Sequence, residues 1–503
     1  MKFKAILKFL MIVGLITSIV SCSGSSSKTH SSVTGWKYND KNGTGFTVSE
    51  GVKTKVPPGM VAIEGGSYTI GERNEYVTTP RNNPKRRITV RSFYMDQYEI
   101  RTVDWREYTT WMEVVFKNVA PELVNKVRPD DTVWRDELAY NDPYIAYYFS
   151  HPSFNEYPVV GVTWEQAVDF CTWRTDRVNE LALVNAGVID RTDFASLGDQ
   201  SDYDEITQNF IFNTQKYLYQ DSYLPTEGKK TKQTIFGEPR KVNMSDGILF
   251  PDFRLPTEAE WEFAAYAVKA TEEDRGLVIE NQVFPWEGTQ MRNKDKKHRG
   301  MMMANFVRGR GDMMGTSGAL NDKATMTAPV NWYYPNNFGL YNMAGNVNEW
   351  VLDVYRPTTF DEATEYNSFR GNVYTTYIAD GTDENGQTLF RVDSLGRLEK
   401  APITDGDKRN FKDGDPMSQL FTDFPLLTDT TNVSTILSKN VSIDPTDVLA
   451  PKVGDKTRVY KGGSWKDRIY WLNPSSRRYL EQDQATNDIG FRCAMSMIGE
   501  ADI

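Results

Sequence analysis

Residues Gly339 to Asp353 read GLYNMAGNVNEWVLD, and the reading of this stretch decides the fold. Gly339 and Gly345 offer positive φ at turns. Asn342, Asn346, Asn348 and Glu349 crowd hard oxygens into one short irregular segment, the ligand type that calcium prefers. The same composition also describes a tight turn whose polar side chains satisfy buried backbone groups. Trp350, Val351 and Leu352 then re-enter a core. Upstream, Ala304-Asn305-Phe306 and Asn321-Asp322, before Thr327-Ala328-Pro329-Val330, supply a second set of oxygens.

Working outward, short strands and capped helices alternate with irregular chain. Met60 to Ile63 and Ser67 to Ile70 read as strand, turn and strand. Arg87 to Val90 leads into a further strand at Phe93 to Asp96. Thr102 is placed to cap a helix whose apolar stripe is Trp105, Tyr108, Trp111, Met112 and Val115. Tyr157 to Val162 reads as a short buried strand. Thr163 with Gln166, and Thr257 with Glu260, form two capping boxes. The first opens a helix with Trp164, Ala167, Val168, Cys171 and Trp173 on its stripe; the second opens one with Trp261, Ala264, Ala265 and Val268. Glu258, Glu260 and Glu262 suit the helix dipole; the cluster resembles a set of catalytic acids, but capping and solvation are the expected roles. Residues from about 178 to 250 match no crisp period and read as an insertion with some helix, for instance Asn179 to Ala186, and those from about 356 to 456 as an insertion of loops and short strands. The basic run Arg292 to Arg299 reads as a solvated loop.

The start of the chain is a targeting segment. Lys2, Lys4 and Lys8 precede an apolar run from Phe9 to Val20, too short for a membrane span. It ends Ile19-Val20-Ser21-Cys22, which resembles a bacterial lipobox and implies cleavage before Cys22 and lipidation of that residue. Residues 1–21 are then a signal peptide, 22–56 a Ser/Gly-rich tether and 57–498 the folded domain. No acid lies beside the lipid site, which suggests a periplasm-facing outer-membrane anchor. The net charge is −10 over 503 residues, with no basic tract large enough to suggest nucleic acid. Aromatic residues make up 13% of the chain, a packed globular composition rich in side chains that favour interfaces. Beyond Cys22, only Cys171 and Cys493 remain; spacing alone leaves one bridge or two buried thiols open.

Taken in order, GMVAIEGGSYTIG, FYMDQYEI, PVVGVTWEQAVDFC, RLPTEAEWEFAA, FPWEG, TAPV, FGLYNMAGNVNEW, YKGGSW and IGFRCA resemble the formylglycine-generating enzyme family. The resemblance implies an α+β fold, a variant of the C-type lectin fold that is irregular and low in regular secondary structure. TGWKYNDKNGTGF, VWRDELAYND, SHPSFNEYPVVGV and VYKGGSWKDRIYWLNPSSRRYL further resemble the gliding-motility lipoproteins of the GldJ/GldK/PorK group, which belong to type IX secretion.

Carried onto this chain, the family's cysteine pair falls on Cys171 and Cys493, implying a disulfide. One calcium set falls on Asn305, the Phe306 carbonyl, Asp322 and the Ala324 carbonyl. A second falls on Asn346, the Val347 carbonyl and Glu349, with Asn348 where the family has tryptophan. The enzyme's copper-binding thiols have no counterpart: Lys466 to Leu472, after GGSW, contain no cysteine. Copper(I) needs soft ligands, and a carboxylate and a leucine are not substitutes. Three histidines, His30, His151 and His298, form no cluster in sequence, and no catalytic residue is assigned.

These expectations converge on a non-enzymatic, lipid-anchored scaffold of the type IX secretion and gliding ring assembly. Its expected partners are a GldK/PorK-like lipoprotein and a GldN/PorN-like periplasmic ring protein. A calcium-dependent lectin-like glycan- or peptide-binding module and a divergent formylglycine-generating-type oxidase are the alternatives.

Overall fold

The computed structural model describes residues 29–42, 46–48, 55–72, 83, 85–192, 202–203, 206, 211–219, 232–233, 239–267, 282–309, 324–355, 369, 371, 374–382, 386, 388–403 and 456–499. The signal peptide with Cys22, and Asp322 and Val268, lie outside the described residues.

Two four-stranded sheets organise the domain. The first joins β1 (Met60–Ile63), β4 (Phe93–Asp96), β10 (Ala494–Ser496) and β5 (Phe253–Arg254), in that order and all antiparallel. The second joins β8 (Arg478–Glu481), β7 (Thr457–Lys461), β6 (Asn348–Val354) and β9 (Ile489–Gly490); its last pair is parallel. The two early strands do not pair with each other. β2 (Gly66–Ile70) instead pairs with β3 (Arg86–Val90). The Gly65 turn thus sends consecutive strands to different sheets: a Cβ at Gly65 would lie 2.4 Å from the Val90 carbonyl oxygen. The C-terminal strands complete both sheets, so the domain needs residues 456–499 to close.

Helix α1 (Thr102–Phe116) buries Trp105, Tyr108, Met112 and Val115, while Trp111 is half-buried. Its cap is Arg101 rather than Thr102. The Arg101 N–H donates to Asp104, and Thr102 Oγ1 instead donates to the Phe154 carbonyl. Helix α2 (Trp164–Asn185) starts at the Thr163–Gln166 capping box, closed by reciprocal bonds of 3.1 and 2.9 Å. It runs unbroken to Asn185, so the helix expected from Asn179 is the end of α2 rather than a separate element. Helix α3 (Glu258–Tyr266) starts at the Thr257–Glu260 box. Residues 158–162 are buried and Tyr157 half-buried, but they form no ladder strand; Val159 N bonds the Ile100 carbonyl and Gly161 N the Thr486 carbonyl.

The main core lies between α1, α2 and the sheets, where Trp105, Phe170 and Phe491 stack and edge at 5.3–5.9 Å. Full burial of each such side chain contributes roughly 1.5–3 kcal/mol. Described parts of the two insertions meet each other and α2. Tyr377 Oη lies 2.8 Å from Gln215 Oε1, Tyr219 and Tyr377 have ring centroids 5.3 Å apart, and Arg397 pairs with Asp169 of α2 at 2.9 Å.

Candidate functional site

The GNVNEW turn is the hub of the molecule. Gly339, Asn342, Gly345 and Asn346 all adopt positive φ, 84°, 53°, 81° and 69°. Glycine tolerates this conformation best, and asparagine better than most other residues. Gly345 has a second constraint: a Cβ there would sit 2.5 Å from the Asn305 carbonyl oxygen. The turn is fixed to its neighbours by backbone bonds, Asn346 N to Asn305 O, Gly345 N to Gly462 O and Trp465 N to Asn346 O. The turn therefore joins the Asn305 segment to the GGSW segment.

Strand β6 begins inside the turn, and its alternation sends neighbouring side chains to opposite sides. Glu349 is fully buried, with both oxygens engaged. Arg492 donates from Nε to Oε2 at 2.7 Å and from Nη2 to Oε1 at 2.6 Å, and Trp261 Nε1 donates to Oε2 at 2.7 Å. Beside it lies Glu99, a residue the sequence does not mark. Its Oε2 accepts from Asn342 Nδ2 at 2.9 Å and Asn346 Nδ2 at 2.8 Å. Burial, and then the Glu349 charge, push the Glu99 pKa up to about 8, against the opposing pull of Arg492 and the two amides.

On the other side, Asn348 sits among Asp467, Arg478, Asp488 and Ser464. Asn348 Nδ2 donates to Asp467 Oδ2 at 3.2 Å and Asp488 Oδ2 at 3.0 Å, and its carbonyl accepts from Arg478. Arg478 holds Asp467 bidentately at 2.6 Å, and Ser464 donates to the same carboxylate from N and Oγ. Burial alone raises the Asp467 pKa; the Arg478 bonds and charge overcome it, so the group lies below the usual carboxylate range. Asn348 thus bonds both carboxylates and the guanidinium of the cluster. Leu472 is fully buried in an apolar cluster with Phe306 and Met302. The segment after GGSW is thus occupied by an ion pair and a packed leucine.

A third network lies under α3. Glu258 and Glu262 are 5% and 0% exposed, which corrects the expectation of solvated glutamates. Lys461 Nζ reaches Glu258 at 3.1 Å and Glu262 at 2.9 Å, and Arg477 Nε reaches Glu258 at 2.7 Å. Burial raises the Glu258 pKa, but Arg477 and Lys461 outweigh it and bring it to about 2. Glu260 pairs with Arg254 at 2.7 Å.

The donor set at the turn does not fit a dication. Both Glu349 oxygens accept from cationic or indole donors, Asn346 Oδ1 accepts from Ala328 N at 2.8 Å, and the guanidinium of Arg492 already supplies a positive charge. Asn342 Oδ1 is buried with no hydrogen-bond partner among the described residues, and with the buried Val347 carbonyl it adds only neutral oxygens, well short of the six to eight, largely anionic, that calcium takes. Of the other set, Asn305, Phe306 and Ala324 are buried close to the turn; Asn305 Nδ2 donates to the Met326 carbonyl at 2.6 Å. Among the described residues no group of three or more His, Cys, Asp or Glu side chains could hold a metal ion. The sulfurs of Cys171 and Cys493 lie 3.4 Å apart as buried thiols, so the fold brings this pair together. Glu99, Asp467, Arg478, Lys461 and Arg492 carry no local pattern; only their position inside matched blocks such as GFRC sets them apart.

Residues 45–394 match the sulfatase-modifying factor enzyme 1-like domain, and the chain belongs to that family. It is 26% identical over 318 residues to the formylglycine-generating enzyme of Mus musculus, covering 58% of each chain. The chain therefore spans just over half the length of that relative. It is 37% identical over 109 residues to the inactive C-alpha-formylglycine-generating enzyme 2 of the same species, covering 22% of this chain and 28% of that one. The family therefore includes members without the activity. The structure of PvdO from Pseudomonas aeruginosa superposes with a TM-score of 0.41 at 14% identity, covering 90% of this chain and all of that one.

Proposed function

We propose that this chain is a non-enzymatic scaffold on the formylglycine-generating-enzyme fold, of the GldJ/GldK/PorK group, anchored by lipid at Cys22 to the periplasmic face of the outer membrane. Its place is in the ring assembly of type IX secretion and gliding, beside a GldK/PorK-like lipoprotein and a GldN/PorN-like ring protein. The observation that carries the reading is the closed Asp467–Arg478 pair with the buried Leu472 after GGSW. Soft-metal oxidation chemistry needs thiols with open coordination, and a bidentate ion pair offers neither. The surface supports the same reading. Where they are described, the two insertions touch through Tyr377, Gln215 and Tyr219, a surface on which a partner could seat.

The test is affinity purification of the tagged protein from mildly solubilised outer membranes, followed by mass spectrometry. Recovery of the two ring proteins in fixed ratio is the expected result. Recovery of the lipoprotein alone, or of stoichiometric copper with it, would sink the scaffold reading.

A further inference from the structure

A cavity of about 460 Å³ lies where both insertions meet α2 and β5. Its own side chains tie the walls together. Thr175 Oγ1 of α2 accepts from Phe253 N at 2.9 Å, Asp169 holds Arg397 at 2.9 Å, and Tyr377 Oη lies 2.8 Å from Gln215 Oε1. Most of its charged groups are matched. Arg397 also pairs with Asp393 at 3.1 Å, Arg254 with Glu260 at 2.7 Å and Glu399 with Arg391 at 3.6 Å. Lys400 Nζ stands 5.3 Å from the Tyr377 ring centroid. Asp176 and Asp252 hold only neutral donors. Asp176 accepts from Thr214 N at 2.8 Å and from Asn213 Nδ2 at 3.1 Å; Asp252 accepts from Gln215 Nε2 at 3.1 and 3.2 Å. Neither forms an ion pair among the described residues, and Lys400 acts on Asp252 through its field alone.

Other buried acids of this molecule carry a bonded base: Glu349 has Arg492, Glu258 has Lys461 and Arg477, and Asp96 has Arg174. Glu99 has none, but the amides of the hub enclose it. Asp176 is 7% exposed, has none either, and lines open volume. A buried charge without a partner is costly. Burial raises the Asp176 pKa to about 6, against the Thr214 amide and the charges of Arg177 and Arg397. Asp176 lies at the floor with Cys171 and Leu255, whereas Asp252 and Lys400 are exposed at the mouth. Val168, Leu255, Leu352 and Leu398 make the wall between them apolar.

We propose that this cavity binds a primary alkylammonium group, the end of a lysine side chain or of a free amine: Asp176 takes the ammonium, the apolar wall takes the methylenes, and Asp252 marks the entrance. A cationic head on an apolar stem matches a buried acid at the end of an apolar wall. Each Asp176 oxygen already accepts one hydrogen bond. A compact point donor therefore suits the site better than the planar fork of a guanidinium, which takes both oxygens along one edge. The site stands whether or not the chain has a scaffold role.

Isothermal titration of the full chain tests this with Nα-acetyl-lysine methylamide, the corresponding norleucine and arginine amides, and n-butylamine. Saturable binding of the lysine amide is expected, with the arginine amide weaker. The norleucine amide, which lacks the ammonium, is expected to bind about tenfold more weakly, the effect of losing a hydrogen bond to a charged group. Asp176→Asn is expected to weaken the lysine amide by about the same factor, with its melting temperature recorded alongside. Asp252→Asn, at an exposed side chain, is expected to weaken it about threefold, the scale of an exposed charge pair, and keeps the test open if Asp176→Asn melts low. Glu122→Gln, the same charge change at an exposed site elsewhere, is expected to change nothing. Equal binding of the norleucine amide, tighter binding of the arginine amide, or unchanged affinity in both aspartate variants overturns the proposal. A lysine amide that binds more tightly than n-butylamine assigns the site to a lysine of another protein, and the reverse order assigns it to a free amine.

Discussion

Arg492 holds Glu349 through two charge-assisted hydrogen bonds, and neither side chain has any exposed surface. The pair also carries Trp261, and it lies beside Glu99, so one guanidinium serves two buried carboxyl groups. Arg492→Met is therefore expected to lower unfolding stability by about 3–5 kcal/mol, since it leaves buried charge without a partner. Urea denaturation measures it. A loss below about 1 kcal/mol means that the pair does not hold the hub.

Glu99 makes stability pH-dependent. Its pKa is raised to about 8 in the fold, above the ordinary glutamate value. The folded state then keeps a proton that the unfolded state has released, so stability falls as pH rises from the ordinary value to about 8. The steepest contribution is about 1.4 kcal/mol per pH unit. Glu99→Gln is expected to flatten the wild-type slope between pH 5 and 8. Parallel slopes for the two proteins in denaturant titrations would remove Glu99 as the source.

Lys461 bridges Glu258 and Glu262 with almost no exposed surface. Lys461→Met is expected to destabilise by about 3–5 kcal/mol, for the reason given for Arg492. In the wild type, the depressed Glu258 pKa gives the opposite sign to Glu99. Its contribution is present above the ordinary glutamate pKa and is lost as pH falls towards about 2. Acid titration of the Lys461→Met variant is expected to begin unfolding at higher pH than the wild type, and an unchanged midpoint would contradict the bridge.

The occupied Glu349 oxygens give a metal prediction. Changing from millimolar calcium to a chelator is expected to leave Tm unchanged, because a ligand bound to the folded state would raise it by mass action. A calcium-dependent rise abolished by Asp322→Asn would assign an ion to the Asn305 set instead.

The Cys171 and Cys493 thiols are placed to bond on oxidation. Peptide mapping without reductant is expected to recover the crosslinked pair. Removing the crosslink with Cys171→Ser is expected to cost about 2–4 kcal/mol under oxidising conditions. Recovery of two free thiols from protein purified without reductant would rule the bridge out.

Sequence alone determined the parts of the molecule whose causes are local. The Thr163–Gln166 and Thr257–Glu260 boxes, the apolar stripe of α1 and the glycines of the hub turn all depend on residues a few positions apart, and each is found where the sequence puts it. The oxygen-rich hub was legible as a site, but its occupancy was not. Glu349 reads as a calcium ligand until Arg492, 143 residues away, is seen to fill it. Glu258 and Glu262 read as solvated until Lys461 is found beneath them. The destination of β1 and β2 in different sheets likewise depends on β3, β4 and the C-terminal strands. Only tertiary structure decided these points. The charge state and hydrogen-bond capacity of a buried group are set by what long-range packing brings beside it, and local spacing carries no record of that.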